Sequence, residues 1–198
     1  MQFSPFKKPY EEEINTWCNQ LMLCSNTLEE WIKCQAAYTY LQPIFDSADI
    51  MKQLPMETKR FKSVDTKWKL ILSQTNDKPA IMHNCTKDGL MESFIEANKN
   101  LDTVQKGLNE YLERKRGNFA RFYFLSDGEL LEILSQTKEV RRVRSHLRKV
   151  FEAIADLEFK PNDDMVAMMS IEGEKIEFTK KVSPTDRNVE FWMGDVEK

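Results

Sequence analysis

The chain has 198 residues, of which 41% are hydrophobic and 31% are charged, and its formal net charge is −3. Its twelve phenylalanines and four tryptophans can supply a real core, which argues against a disordered chain. The six glycines and the long mixtures of charged and apolar residues favour helices over a β-sandwich or barrel. The weakly negative charge provides no overall positive field for binding a nucleic-acid backbone.

Neither secretion nor membrane insertion is expected from this sequence. It has no recognisable signal peptide and no apolar run near the roughly 18 residues that a transmembrane helix needs. No C-x-x-C pair occurs among the four cysteines, which are Cys18, Cys24, Cys34 and Cys85. We therefore predict reduced thiols, as in a cytosolic compartment.

The longest periodic segment covers residues 10–43 and predicts a single long helix. Its apolar residues alternate in steps of three and four, which places them on one stripe: Ile14, Trp17, Leu21, Cys24, Leu28, Trp31 and Tyr38. Pro43 and the Asp46-Ser47 pair are predicted to end this helix. Each of the four tryptophans lies on such a stripe, so core packing is the expected role of Trp17, Trp31, Trp68 and Trp192.

Further helices follow in the middle of the chain. Residues 47–54 predict a short helical turn and 76–79 a loop. A second helix is predicted over 56–74, with Phe61, Val64, Trp68 and Leu72 on one face. A third long helix is predicted over 88–116, with an apolar stripe that runs from Leu90 to Tyr111. Cations in the last turn of the third helix, followed by Gly117, are typical of a helix C-terminus.

An aromatic corner follows in the stretch GNFARFYFLSDGELLEILSQT, residues 117–137. The residues from Arg121 to Leu125 are short, aromatic and β-prone. Ser126 and Glu129 have the S-x-x-E spacing of a capping box, which predicts the start of a short helix with a leucine-rich buried face.

The last third of the chain combines helices with a hairpin. A helix is predicted over residues 143–156. Alternating apolar residues over 165–182 predict a hairpin with one apolar face and a two-residue Glu172-Gly173 loop, which would pair Met169 with Ile176 and Ala167 with Phe178. A terminal helix after Pro184 places three apolar residues on one face: Val189, Trp192 and Val196.

Together these elements predict a mainly α protein, an elongated, rod-like helical bundle with one β-hairpin near residues 165–182. Residues 1–116 are expected to form a bundle of long helices, and residues 117–198 short helices with the hairpin and the terminal helix. The terminal helix reaches the end of the sequence without a stop signal, which we interpret as the sign of a longer polypeptide.

No catalytic, cofactor-binding or metal-binding constellation is recognised in the sequence. It contains no phosphate loop of the form G-x-x-x-x-G-K-[ST], no G-x-S-x-G elbow and no H-E-x-x-H motif. His83 and Cys85 could hold a metal or form a Cys–His dyad. Because no further ligands occur nearby, an incidental pair in a loop is the simpler interpretation.

The largest charge anomaly is the basic segment, residues 138–149 with the sequence KEVRRVRSHLRK. One interpretation is a docking patch for an acidic surface, and another is a solvated helix face whose side-chain stems cover apolar residues. Nucleic-acid phosphate is a more specific version of the docking interpretation, although no aromatic platform interleaves the arginines. The candidate docking residues are Lys138, Arg141, Arg142, Arg144, Arg148 and Lys149.

A series of short motifs extends over nearly the whole chain. They are W-x-x-x-Q-x-x-Y-x-Y-L-x-P-I-F (31–45), L-P-x-E-x-x-x-F-x-x-V-D (54–65), L-x-x-Y-L-E-x-K-R (108–116), RFYFLS (121–126), ELLEILSQT (129–137), L-x-K-x-F-x-x-I (147–154) and V-E-x-W-x-x-x-V-E (189–197). In this order they resemble the linker region of dynein heavy chains, within the second conserved N-terminal segment. The RFYFLS and ELLEILSQT block, with LEF at 157–159, is more similar to axonemal than to cytoplasmic heavy chains.

The resemblance implies a mechanical role. The dynein linker is a rod of helical bundles that arches over a ring of six AAA+ modules and bends and straightens as the ring hydrolyses ATP. ATP and Mg²⁺ would be bound by the ring modules, so no cofactor is expected in this fragment, and it is not expected to be an enzyme by itself. The hinge-type motion would deliver the power stroke.

The resemblance also implies partners and a location. The expected partners are the AAA+ ring of the same heavy chain and other dynein complex subunits, with microtubules reached only through the distant stalk. No nucleic acid and no membrane are expected as partners. The implied location is the cytoplasm and cytoskeleton, in the axoneme of a cilium or flagellum. A static helical scaffold of the spectrin type is the alternative, but it would lack the hairpin and show internal repeats.

The chain departs from the family pattern in three places. Ala120 replaces the proline of the usual F-P-R-F, which removes a rigid φ angle from the corner. Gly128 adds backbone freedom inside the capping box. Lys138 and Glu139 stand where the family commonly has an Asp-Pro break, so the basic segment is expected to be particular to this chain.

Overall fold

The computed structural model describes residues 4–135, 140–185 and 187–198, and within them the fold is mainly α-helical with one small antiparallel sheet. The helices are α1 (Glu11–Phe45), α2 (Ala48–Gln53), α3 (Pro55–Asp77), α4 (Ile81–Cys85), α5 (Leu90–Asn118), α6 (Asp127–Ser135), α7 (Leu147–Val150) and α8 (Val189–Glu197). The strands are β1 (Ile154–Phe159), β2 (Met165–Ser170) and β3 (Lys175–Val182), in the order β1-β2-β3. The predicted mainly α fold with a β-hairpin is confirmed.

The chain divides into two compact units. The first contains the residues up to Pro43 together with Pro55–Lys106, and the second contains Ile44–Leu54 together with Gly107–Lys198. The division near residue 116 that the sequence suggests stays a prediction.

The first unit is built around aromatic side chains on α1, α3 and α5. The ring of Trp68 lies 6.5 Å from Trp31, 5.3 Å from Tyr38 and 6.3 Å from Phe94. Tyr38 also stacks on Phe61 at 5.7 Å, and its hydroxyl donates a 2.6 Å hydrogen bond to Asp65. Large rings that meet at such distances contribute much of the packing energy of a helical core.

The buried face of α1 differs from the predicted stripe. Cys24 and Tyr38 are buried as expected, but Trp17 and Leu21 are exposed. The buried set contains instead Thr27, Cys34, Leu41 and Phe45. The predicted stripe and the observed face share Cys24 and Tyr38, with the half-buried Trp31 between them, and otherwise lie side by side around the helix. Core packing is therefore confirmed for Trp68 and Trp192, whereas it is wrong for Trp17.

Two predicted helix ends are shifted by short distances. Pro43 does not end α1, which continues to Phe45. Proline has no backbone N–H to donate to the preceding turn. The packing of the buried Phe45 stabilises the last turn instead. Likewise α5 continues through Gly117 to Asn118, and the buried ring of Phe119 follows directly.

The aromatic corner in the second unit is helical rather than extended. Ala120–Phe124 form a 3-10 helix, and Phe122 is fully buried with its ring 5.0 Å from Phe119. The predicted capping box is confirmed, because the Ser126 amide donates to Glu129 Oε2 at 3.0 Å and the Glu129 amide donates to Ser126 Oγ at 3.4 Å.

The helix predicted over residues 143–156 is wrong over most of its length. Val140–His146 form a 3-10 helix, α7 covers only Leu147–Val150, and β1 begins at Ile154. Ile154 and Leu157 are both buried, at a spacing that also suits a helix. The register shift between Ile154 and Asp156 is a bulge, which brings two residues three apart to the same face of a strand.

The hairpin exists as predicted, but its register is shifted by one residue. Met168 pairs with Ile176 and Ala167 with Glu177. The Ser170 amide donates to Glu174 O at 2.9 Å, so the loop has three residues and ends on Gly173 at φ +88. A three-residue loop with glycine in the left-handed region is a common hairpin turn. The shift places Ile176 on the other face from Ala167, so the predicted single apolar face is wrong.

Candidate docking surface

The basic segment is anchored by apolar residues between its cations. Val143, Leu147 and Val150 are buried, which fixes the path of the 3-10 helix and α7. All five described cations of the segment are exposed, namely Arg141, Arg142, Arg144, Arg148 and Lys149. Lys138, the sixth predicted docking residue, lies outside the described residues. Buried apolar residues between exposed cations are compatible with both the docking and the solvated-face interpretations.

Two arginines of the segment bind the sheet. Arg141 contacts Asp163 at 2.8 Å and donates to the Lys160 carbonyl at 3.1 Å. Arg144 contacts Asp156 at 3.0 Å and donates to the Leu157 carbonyl at 3.0 Å. Both guanidinium groups lie over the ring of Phe159, at 5.9 Å and 5.1 Å, in the geometry of cation–π contacts. These two side chains therefore fasten the segment to β1.

Lys149 joins the segment to the capping box of α6. Its ammonium group contacts Glu129 Oε1. The pKa of Glu129 is lowered to about 2, first by the bond from Lys149 and then by the amide and hydroxyl of Ser126. Glu129 therefore both caps the N-terminus of α6 and binds the basic segment. Of the described cations, Arg148 is exposed on α7 without belonging to these clamps.

A polar cavity of about 470 Å³ lies within the second unit. It is lined in part by Tyr111, Lys115 and Glu190. Lys115 Nζ lies 2.5 Å from Glu190 Oε1, with side chains only 7% and 1% exposed. Burial, followed by the charge of Glu190, raises the pKa of Tyr111 to about 12. A buried ion pair that joins α5 to α8 fits a structural role.

A second buried cation braces the aromatic corner. Arg116 donates to the Leu125 carbonyl at 3.2 Å and to Asp127 Oδ1 at 2.6 Å, and it also contacts Glu113 at 2.9 Å. The bond to Asp127 is the main reason why the pKa of Arg116 is raised. Ala120 is exposed, so the corner is held by Arg116 and the buried rings where a proline would otherwise fix the backbone.

His83 and Cys85 are not brought together by α4. His83 is exposed, whereas Cys85 is buried, and its thiol neighbours Cys24. Burial and then Cys24 raise the pKa of Cys85 to about 11, which suppresses the thiolate form that a nucleophile or metal ligand requires. Within the described residues there is no group of three His, Cys, Asp or Glu side chains that could hold a metal ion.

A family model described as "Dynein heavy chain, N-terminal region 2" matches residues 1–198, the full length of the chain. The chain belongs to the dynein heavy-chain family. The resemblance that rests on the RFYFLS and ELLEILSQT motifs is therefore confirmed. In this dynein segment the described residues of those motifs form the 3-10 helix, the capping box and α6 of the second unit.

Curated proteins similar to this segment include axonemal heavy chains. The segment is 48% identical over 198 residues to dynein axonemal heavy chain 1 of Homo sapiens. It is 46% identical over 199 residues to axonemal heavy chain 12 and 46% identical over 197 residues to axonemal heavy chain 3, both of Homo sapiens. It covers 5%, 6% and 5% of these proteins, while 100%, 100% and 98% of the segment is matched.

The sequence located the exposed cations of the dynein segment but not its buried ones. Lys115 and Arg116 carry the signature of a helix C-terminus, and nothing in their spacing shows that they are buried. The only feature of the sequence that could have indicated a buried charge was the position of Glu190 on the apolar face of α8, next to Val189 and near Trp192. No helix in the described part of the chain has the length and apolar character required to cross a bilayer.

Proposed function

We propose that this segment is a mechanical linker element of an axonemal dynein heavy chain, which bends and straightens over the AAA+ ring and transmits the ATP-driven power stroke. The observation that carries the proposal is the match of the dynein N-terminal region over the full length of the chain. The identities of 46–48% to human axonemal heavy chains support a place in the axoneme of a cilium or flagellum.

The described structure supports a mechanical role physically. α1 has 35 residues and α5 has 29, which at about 1.5 Å per residue gives stiff elements of roughly 50 Å and 45 Å. A segment of this kind can transmit force without a reactive group. We propose that ATP and Mg²⁺ are bound by the ring modules and that microtubules are reached through the stalk.

The proposal is tested by removing residues 1–198 from a full-length heavy chain. We expect the remaining motor to bind nucleotide and hydrolyse ATP, while microtubule gliding velocity falls severely. Normal gliding by the shortened motor would contradict the proposal and favour a static scaffold. Bending is tested with one fluorophore at exposed Asn19 and another on the ring, whose energy transfer should change between nucleotide states.

We further propose that the basic segment docks on an acidic surface of the ring, and that Arg148 contributes most directly. Its exposure on α7 supports this choice, since Arg141 and Arg144 are bound to the sheet. Arg148→Glu in the full motor should reduce gliding velocity without unfolding the segment. Unchanged gliding would contradict docking, and binding of duplex DNA at low salt would favour a nucleic-acid role instead.

A further inference from the structure

An apolar ridge occupies the N-terminal half of α1 and the residue just before it. The α1 ridge is formed by Tyr10, Ile14, Trp17 and Leu21, which alternate at steps of four, three and four. Tyr10, Trp17 and Leu21 are 62%, 53% and 55% exposed, and Ile14 is half-buried. Single exposed apolar residues are ordinary on protein surfaces, whereas a continuous row that includes a tryptophan marks an interaction site.

The α1 ridge continues directly into the core of the first unit. Trp17 stands seven residues before Cys24 and fourteen before Trp31, whose ring packs 4.9 Å from Phe94. Other helices pack against α1 from about Cys24 onwards, where Thr27 Oγ1 donates a 3.1 Å hydrogen bond to the carbonyl of Cys85 in α4. Before that level α1 extends for about 20 Å, at roughly 1.5 Å per residue. Within the described residues, the same helix is therefore packed along one half, and its ridge is uncovered along the other.

We propose that the α1 ridge is covered by an amphipathic helix from another part of the same heavy chain. An apolar row with alternating steps of three and four is complementary to a second helix with the same spacing. The segment covers only 5% of axonemal heavy chain 1, so a heavy chain of that length has abundant sequence outside these residues. Because the ridge is continuous with the core of α1, α3 and α5, a covering helix would extend the same helical bundle along α1.

The rim of the ridge specifies the charge of this partner. Glu11 and Glu13 stand on either side of Ile14 and are exposed. Glu11 contacts Lys7 at 3.3 Å in a surface pair, and Glu13 makes the other flank acidic near the N-terminal end of the ridge. A covering helix with lysine or arginine beside its apolar row would form ion pairs across these flanks. The partner is therefore an amphipathic helix with basic flanks.

Photo-crosslinking in the full-length heavy chain tests the proposal. A benzoylphenylalanine is placed at Leu21, and the matched control carries it at exposed Asn19, about 200° around the helix from both Leu21 and Trp17. We expect Leu21 to crosslink to a peptide of the same heavy chain, outside residues 1–198, with apolar residues at helical spacing. The control should give little of this product. Crosslinking does not depend on bending, so its outcome is independent of the proposed power-stroke role.

Three outcomes would overturn the proposal. Crosslinks from Leu21 to another protein would assign the ridge to a different subunit, and crosslinks to the ridge of a second copy would assign it to self-association. A Leu21 yield no higher than that of Asn19 would mean that the ridge stays in water.

A second measurement remains informative if the photoreactive residue disturbs folding. We expect Leu21→Lys to increase the rate of limited proteolysis of the covering helix by about tenfold or more, because full burial of a leucine shifts an equilibrium by at least that factor. Asn19→Lys should leave the rate unchanged. Equal rates for the two variants would contradict a docked helix.

Discussion

In the first unit the rings of Trp31, Trp68 and Phe94 meet between three helices, whereas in the second unit Lys115 and Glu190 form a buried ion pair. The first unit carries its ion pairs on the surface, as in Lys67–Glu96, with side chains 49% and 61% exposed. Surface pairs of this kind contribute roughly 0–1 kcal/mol each. Apolar packing therefore dominates the stability of the first unit.

The second unit combines buried rings with charged side chains that hold its parts together. Arg116 braces the aromatic corner, and Arg141 and Arg144 hold the basic segment against β1. A buried or half-buried charge adds little net stability, but it becomes costly when its partner is removed. From this difference we expect the stability of the first unit to be sensitive to changes in side-chain volume, and the stability of the second unit to be sensitive to changes in charge.

The largest effect is expected at the buried pair of the second unit. Lys115→Ala leaves the carboxylate of Glu190 buried without its cation, which should cost about 3–5 kcal/mol of unfolding free energy. Urea unfolding of the 198-residue chain measures this loss. Replacing both residues, with Lys115→Met and Glu190→Leu, should recover most of the stability. If the double variant were as unstable as Lys115→Ala, the charge would not be the cause.

A volume change in the first unit should give a loss of similar or smaller size. Leu101 is fully buried on α5, and Leu101→Ala should cost about 2–5 kcal/mol through lost packing and the remaining cavity. Leu101→Met, which nearly conserves volume, is the matched control and should cost less than about 1.5 kcal/mol. Equal losses in the two variants would contradict a core that is sensitive to volume.

The same difference between the two units determines which structural features could be predicted from the sequence. In the first unit the stripe of α5 was predicted correctly, and so was most of the α3 stripe, because Phe61, Val64 and Trp68 are buried whereas Leu72 is 40% exposed. The stripe of α1 failed where no helix of the described residues covers it, since periodicity shows that a face is apolar but not what lies against it. Trp17 is exposed for this reason.

In the second unit, tertiary pairing overrides local pattern. Ile154 and Leu157 have a helical spacing, yet both belong to β1, whose bulge is defined by its pairing with β2. The hairpin register depends on a third loop residue that the Glu172-Gly173 pair did not indicate. Of the candidate site, the exposure of the cations was predictable from composition. The clamps of Arg141 and Arg144 were not, because their partners lie 22 and 12 residues away in sequence.

A smaller effect on stability should distinguish the cations that bind the basic segment to β1 from the cation that is proposed for docking. Arg144→Ala removes the contact with Asp156, a hydrogen bond to the Leu157 carbonyl and the contact with Phe159. Because the side chain is 46% exposed, we expect a loss of only about 1 kcal/mol. Arg148→Ala should stay within about 0.5 kcal/mol of the unchanged chain. Equal losses in thermal or urea unfolding would contradict the distinction between a clamp and a docking cation.

The smallest effect concerns acid, and it is expected at the capping box of the second unit. The pKa of Glu129 is about 2 in the folded chain, below its ordinary value of 4.5, because Lys149 and Ser126 bind the carboxylate. A lowered folded-state pKa stabilises the fold above the ordinary value, and this contribution is lost as pH falls from about 4.5 towards 2. Glu129→Gln cannot titrate, so its stability difference from the unchanged chain should shrink over that window. Unfolding free energies from about pH 6 to about pH 2 measure this, and a difference that stayed constant with pH would show that the charge of Glu129 does not support the start of α6.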